Sequence, residues 1–195
     1  MTKFLLSAAT AALFFMPTAA SAQALPQAIV AVVDVQRATS QCNACKTALN
    51  QLEVQVNSLK ALQTSLETSL RNEANSIQTA VNALAGKQPD AALAARAQAF
   101  EKKQADAQRQ LQTREQTFQR NRQYVLQQIG AKLDGVLTSV LARRGASVMV
   151  DAANIVRFAP SLDVTTDVIA GLNASLTTLG TTAPAQAAAP APKGR

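Results

Sequence analysis

Two cysteines three positions apart, Cys42-Asn43-Ala44-Cys45, are the residues of this 195-residue chain best suited to covalent chemistry. A CxxC pair can exchange electrons, and a thiol near a helix start has a lowered pKa. The surrounding sequence has neither the βαβ pattern nor the cis-proline signal of a thioredoxin-like site. The pair therefore reads first as a local disulfide formed in an oxidising compartment. Free or interchain thiols and a redox centre are the alternatives. The loop it closes is tiny, so little entropy is removed from the unfolded chain. Regular helix geometry has to yield near it.

Four carboxylates, Asp34, Asp151, Asp163 and Asp167, follow or flank apolar runs where a general acid or base could sit. The chain has no histidine to work with them and no metal-ligand cluster, so they read as cap and turn residues. No glycine-rich phosphate loop is present. The expectation is a protein that is not an enzyme and carries no cofactor and no metal.

Charge is the remaining chemical resource. The formal net charge is +7, which points to acidic partners or anionic membrane surfaces. Between Ala91 and Tyr124 seven basic residues (Arg96, Lys102, Lys103, Arg109, Arg114, Arg120 and Arg122) face three acidic ones, Glu101, Asp106 and Glu115. The preceding helical stretch has balanced charge. Lys87 adds to the basic cluster. For any one of these residues a solvated helix face is the alternative reading.

The elements that must present these groups follow from pattern. Residues 1–22 read as a signal peptide: Lys3, an apolar run from Phe4 to Met16, Pro17, and the small-x-small site Ala20-Ser21-Ala22. A mature chain beginning at Gln23 is exported, which makes nucleic acid an implausible target. Residues 23–40 open a β body, with a strand over 28–35 (AIVAVVDV) whose continuous β-branched apolar character suits burial on both faces. Thr39 or Ser40 is placed to cap a helix.

Residues 41–144 form a helical hairpin arm with its tip at 86–90. Leu49, Leu52, Val56, Leu59, Leu66, Leu70, Ile77 and Leu84 recur at spacings of three and four, as in a coiled-coil seam, with Gln63 and Glu73 interrupting it. Gly86-Lys87-Gln88-Pro89 breaks the helix, and Asp90 caps the next. The returning stripe runs through Leu93, Phe100, Ala107, Leu111, Phe118, Val125, Ile129, Leu133, Val136 and Val140. It is poor in large apolar residues near the tip and rich near Gly145. Two helices of roughly 50 residues give an arm about 75 Å long.

Residues 145–174 complete the body. Gly145 closes the second helix, 146–150 (ASVMV) reads as a strand, 154–158 (NIVRF) as a third strand, and a short helix starts at Asp167. Residues 175–195, rich in Ala, Pro and Thr, read as a disordered tail. The fold class is α+β, mostly α: a long antiparallel coiled-coil hairpin projecting from a small β-rich body. That body is too small to hold a good core alone, so its strands are expected to gain partners by oligomerising.

Two motifs resemble the Skp/OmpH family of periplasmic chaperones. One is Ile29-Val30-Ala31-Val32-Val33-Asp34-Val35-Gln36-Arg37. The other is Val148-Met149-Val150-Asp151-Ala152-Ala153-Asn154-Ile155-Val156-Arg157-Phe158, followed by Asp163-Val164-Thr165-Thr166-Asp167-Val168-Ile169. Between them only helical period and length agree. Val164, the cysteine pair and the Ala/Pro tail depart from the family pattern. The resemblance implies a homotrimer whose strands share one body, with three arms around a cavity that holds unfolded outer-membrane proteins without nucleotide hydrolysis. On that basis Lys87, Arg96, Lys102, Lys103, Arg109 and Arg114 are the basic client-binding candidates. Val81, Leu84, Leu93 and Phe100 are the apolar ones. An anionic lipid or lipopolysaccharide surface is a further expected partner. A structural adaptor hairpin of an envelope complex and a thiol oxidoreductase using Cys42 and Cys45 are the competing readings.

Overall fold

A computed structural model describes residues 27–185 of the chain. The expected signal peptide (1–22) and residues 186–195 of the tail lie outside the described residues.

The chain enters through β1 (Val30–Val33), whose last three residues are buried. The strand is shorter than the 28–35 read from the sequence because Asp34 leaves the extended ladder to cap a helix. Its carboxylate accepts from the Arg37 N–H at 2.7 Å, so Val35 is already helical. Helix α1 (Val35–Gln41) follows. Thr39 and Ser40 are therefore not caps but interior residues, their hydroxyls donating back to the Val35 and Arg37 carbonyls.

Cys42 breaks the helix with an extended backbone, φ −63° and ψ 146°, and caps α2 (Asn43–Ala83) by accepting the Cys45 N–H on Sγ. The chain reverses at Ala85 and Gly86, both with positive φ. Asp90 then caps α3 (Ala91–Arg143), accepting from the Leu93 N–H at 2.8 Å. At the far end Gly145, φ +62°, closes α3. The Ala146 N–H reaches the Leu141 carbonyl and the Gly145 N–H reaches that of Ala142. This is the paired-bond C-terminal motif that favours glycine in the left-handed conformation.

β2 (Val148–Asp151) pairs with β1 in parallel, Val30 opposite Val148 through Val33 opposite Asp151. Parallel neighbours need a long crossover connection, and here the whole hairpin serves as that crossover. After two 3₁₀ turns, Ala152–Asn154 and Pro160–Leu162, α4 (Thr165–Ser175) completes the body.

The buried core lies entirely at the root of the arm. Ala31 and Val33 meet Ala38, Cys42, Cys45, Ala48 and Leu52 from one side. Val125, Ile129, Val136, Val140, Val168 and Leu172 close the other. In α2 no residue beyond Leu52 is fully buried, and on the tip side of Asn121 in α3 only Ala107 is.

Two readings are corrected. The third strand expected over 154–158 does not form. Ile155 is extended, but among the described residues no neighbouring backbone pairs with this segment, and a strand without a ladder partner is not a strand. The free edge of β1 is met instead at Asp163, through a single bridge to Val32 and a Val164 N–H bond to the Val32 carbonyl at 2.8 Å. The tail expected to be disordered from 175 is ordered through Ala185. Leu176 is buried in the core and Leu179 packs against it, which anchors the residues that follow.

Candidate functional site

The carboxylates are taken up by structure. Asp34 and Asp90 cap helices, and Asp151 caps the first 3₁₀ turn. Asp163 accepts from the Thr165 N–H at 2.9 Å and from Arg37 Nη2 at 2.8 Å. Partial burial works against ionisation of Asp163, but the Thr165 hydroxyl and N–H and the Arg37 guanidinium outweigh it and hold its carboxyl below the ordinary aspartate range. Asp167 pairs with Arg144 at 2.6 Å, and this hydrogen-bonded pairing raises the guanidinium pKa. Among the described residues no group of three His, Cys, Asp or Glu side chains converges on one point.

Cys42 and Cys45 are joined in a disulfide with a Cα–Cα distance of 5.0 Å. Both residues are fully buried where α1, α2 and the body meet. Thiol–disulfide exchange needs a sulfur that an incoming thiolate can reach, and neither is reachable here. The bridge staples the break between α1 and α2.

The candidate binding residues occupy the distal arm, and the structure separates them into two groups. Lys87, Lys102, Lys103 and Arg114 are exposed. Arg96 instead spans the two helices, donating to Glu73 and to Ser76, each at 2.8 Å. Arg109 pairs with Asp106 along α3. Among the described residues four of the six cations therefore project into solvent without an ion-pair partner, Arg109 pairs within its own helix, and Arg96 ties the two helices together. Of the apolar candidates, Val81 is exposed, while Leu84, Leu93 and Phe100 are half-buried. The exposed cations are strung along the arm and converge on no one point. Such an array has the charge distribution that suits an extended acidic partner and no geometry for selecting a small ligand.

A second unpartnered surface lies at the root. Ile29, Val30, Val148, Val156 and Phe158 are large, apolar and exposed, Val156 at 98%. Three of them flank or belong to the two-stranded sheet. Their β-branched pattern marked them in the sequence as strand residues but could not say that one chain leaves them bare.

Sequence reasoning missed a set of amide side chains higher on the root: Gln51 and Gln55 on α2, Asn121 and Gln128 on α3. Gln55, Asn121 and Gln128 bond the backbone of Gly180, Thr181 and Ala183, and Gln51 accepts from the Thr181 hydroxyl. Glutamine and asparagine on a helix carry no signal that distinguishes a solvated side chain from one bonded to a remote backbone.

A family profile described as "Outer membrane protein (OmpH-like)" matches residues 29–172. A crystal structure from Caulobacter crescentus CB15, provisionally described as an outer membrane chaperone (OmpH-like), has the same fold. It shows 24% identity and a TM-score of 0.65, covering 86% of this chain and 94% of that one. A search of the curated proteins finds no match.

Proposed function

The chain belongs to the OmpH-like outer membrane protein family, and on that premise we propose that it is an ATP-independent periplasmic holdase that keeps unfolded outer-membrane proteins from aggregating during transit. The observation that carries this reading is the division of the molecule. The root is well packed, and the arm beyond it has almost no buried residue and a row of unpaired cations. A rod of that kind cannot define a rigid pocket, but it can surround a client of variable size.

Assembly into a trimer is the oligomeric part of this reading, and the root supports it. A two-stranded sheet is marginal alone, and the bare Ile29, Val30, Val148, Val156 and Phe158 form the patch that other copies would cover. Shared strands would fix three arms around one cavity. Lys87, Lys102, Lys103 and Arg114 would draw in acidic client segments, and anionic lipid or lipopolysaccharide surfaces, over a range set by ionic screening of about 10 Å at 0.1 M salt. Apolar contacts near Val81, Leu84, Leu93 and Phe100 would then hold the client loosely, with avidity across arms compensating for weak single contacts.

The test is suppression of aggregation of an unfolded β-barrel protein, measured with solution mass. A trimer that protects the client, less well at high salt and severalfold less well when the four exposed cations become glutamine, supports the proposal. A stable monomer, or protection indifferent to both salt and substitution, refutes it.

A further inference from the structure

Residues 179–183 run over the cleft between α2 and α3 at the root, and the contacts they make are of an unusual kind. Gln128 bonds the Gly180 backbone twice, its Nε2 donating to the carbonyl at 2.8 Å and its Oε1 accepting the N–H at 3.0 Å. Gln55 Nε2 donates to the Thr181 carbonyl at 3.1 Å. Asn121 Oδ1 accepts the Ala183 N–H at 2.9 Å, while its Nδ2 donates to Gln55 Oε1 at 2.8 Å. A single side-chain contact completes the set, from the Thr181 hydroxyl to Gln51 Oε1 at 2.7 Å.

Three amides on two helices thus read a peptide's N–H and C=O groups much as a neighbouring strand would, while Gln51 holds the Thr181 side chain. Gln51 and Gln55 share one face of α2, four residues apart, and Asn121 and Gln128 share one face of α3. Recognition of main chain is blind to sequence except where space is short. That place is Gly180, where an added Cβ would lie 3.1 Å from Tyr124 Cε1. Asn121 is itself buried, and its oxygen has the Ala183 N–H as partner. An acceptor buried beneath the docked segment without a donor would be costly, so a residue at this position must present an N–H to Asn121. Beyond Thr182 a cleft of about 560 Å³ continues along the arm, lined by Val54, Leu59, Leu62, Arg114, Phe118 and Asn121.

We propose that this groove is a peptide-binding site selective for extended backbone with a small residue at one position, and that Leu179–Ala183 is a resident ligand which an extended segment of an unfolded client displaces. The identity of the displacing segment rests on the holdase reading; the groove and its resident do not. The tail thereby keeps the backbone-bonding amides occupied until an unfolded chain competes for them.

The experiment follows a fluorescent peptide of residues 177–185 by anisotropy. It is added to the full chain, to Gly180→Val, whose side chain collides with Tyr124, and to Ala183→Pro, which lacks the donor for Asn121. Both substitutions lie outside the helices and the buried core. The expected result is at least tenfold tighter peptide binding by the two variants than by the parent chain, no binding of a peptide carrying the Gly180→Val change, and displacement of bound peptide by an unfolded β-barrel client. Equal binding by all three proteins overturns the proposal, as does equal binding of the two peptides. Failure of the client to compete, with aggregation suppression intact, overturns it too and leaves the holdase reading standing. Peptide binding with no aggregation suppression would refute that reading and keep the groove.

Discussion

Asp163 joins three parts of the root, one through its backbone and two through its carboxylate. It bridges to β1, caps the approach to α4 through the Thr165 N–H, and ties down Arg37 of α1. Its ionised form is favoured in the folded state, so the sign of its pH dependence is fixed. The stabilisation is fully present above the unfolded aspartate value of about 3.9 and is lost as the pH falls through the lower folded value. Asp163→Asn keeps an acceptor for Thr165 and removes the charge. It should cost about 1 kcal/mol at pH 7, less than the roughly 1.5–3 kcal/mol of a hydrogen bond to a charged group because solvent screens this partly exposed pair. Urea unfolding of the two proteins should show that difference closing once the pH drops below the ordinary aspartate range. A gap unchanged down to pH 2 would mean that the Arg37 pairing contributes nothing. By contrast, Asp167 and Arg144 pair at the surface, where one exposed ion pair has little influence on stability.

Among the elements, α4 decides whether the root closes. Its Gly171 lets the helix approach α3 so closely that an added Cβ would sit 2.6 Å from Val136 Cγ1. Valine at that point is stiff and cannot swing aside. Gly171→Ala gains about 0.8–1.0 kcal/mol of helix propensity but suffers overpacking of about 1–3 kcal/mol, so a net loss near 1 kcal/mol is expected. Val136→Ala in the same chain should recover part of it. A double-mutant cycle with no coupling would contradict the packing.

The helices were legible in the sequence because their signals are local. Apolar spacing, Asp90, Gly86 and Gly145 fix α2 and α3 almost to the residue. The strands were legible only in part. Asp34 could be seen to follow a strand, but its choice to cap α1 could not. The segment 154–158 has strand composition and lacks a neighbour within the chain, which no local pattern reveals. The arm's cations could be counted, but not that Arg96 would turn inward to Glu73 and Ser76. The tail was misread for a related reason. Its low complexity describes its side chains, and what holds it is its backbone.

At the scale of the whole molecule, stability is graded along the rod. The root combines the core, the disulfide and the docked tail. Beyond Leu52 and Asn121 the two helices are held by half-buried positions and, among the described residues, by one interhelical ion pair, Arg96 with Glu73. Such a pair is worth about 0–1 kcal/mol and is screened by salt. Local opening is governed by how much apolar contact each segment shares, so the distal arm should open far more readily than the root. Native-state hydrogen exchange should find amides of Leu66–Ala83 and Ala91–Ala107 exchanging at least about tenfold faster than those of Ala48–Leu52 and Val125–Val140, a difference of about 1.4 kcal/mol in opening free energy. Raising salt should widen the difference by loosening Arg96. On the proposed holdase reading, adding an unfolded β-barrel client should narrow it, because a client lodged between arms would order the distal helices and leave the buried core of the root in place. Uniform protection from root to tip would show a rigid rod. On the proposed holdase reading, a rigid rod could not adapt its enclosure to clients of different size, and that adaptability is what the sparse distal seam would supply.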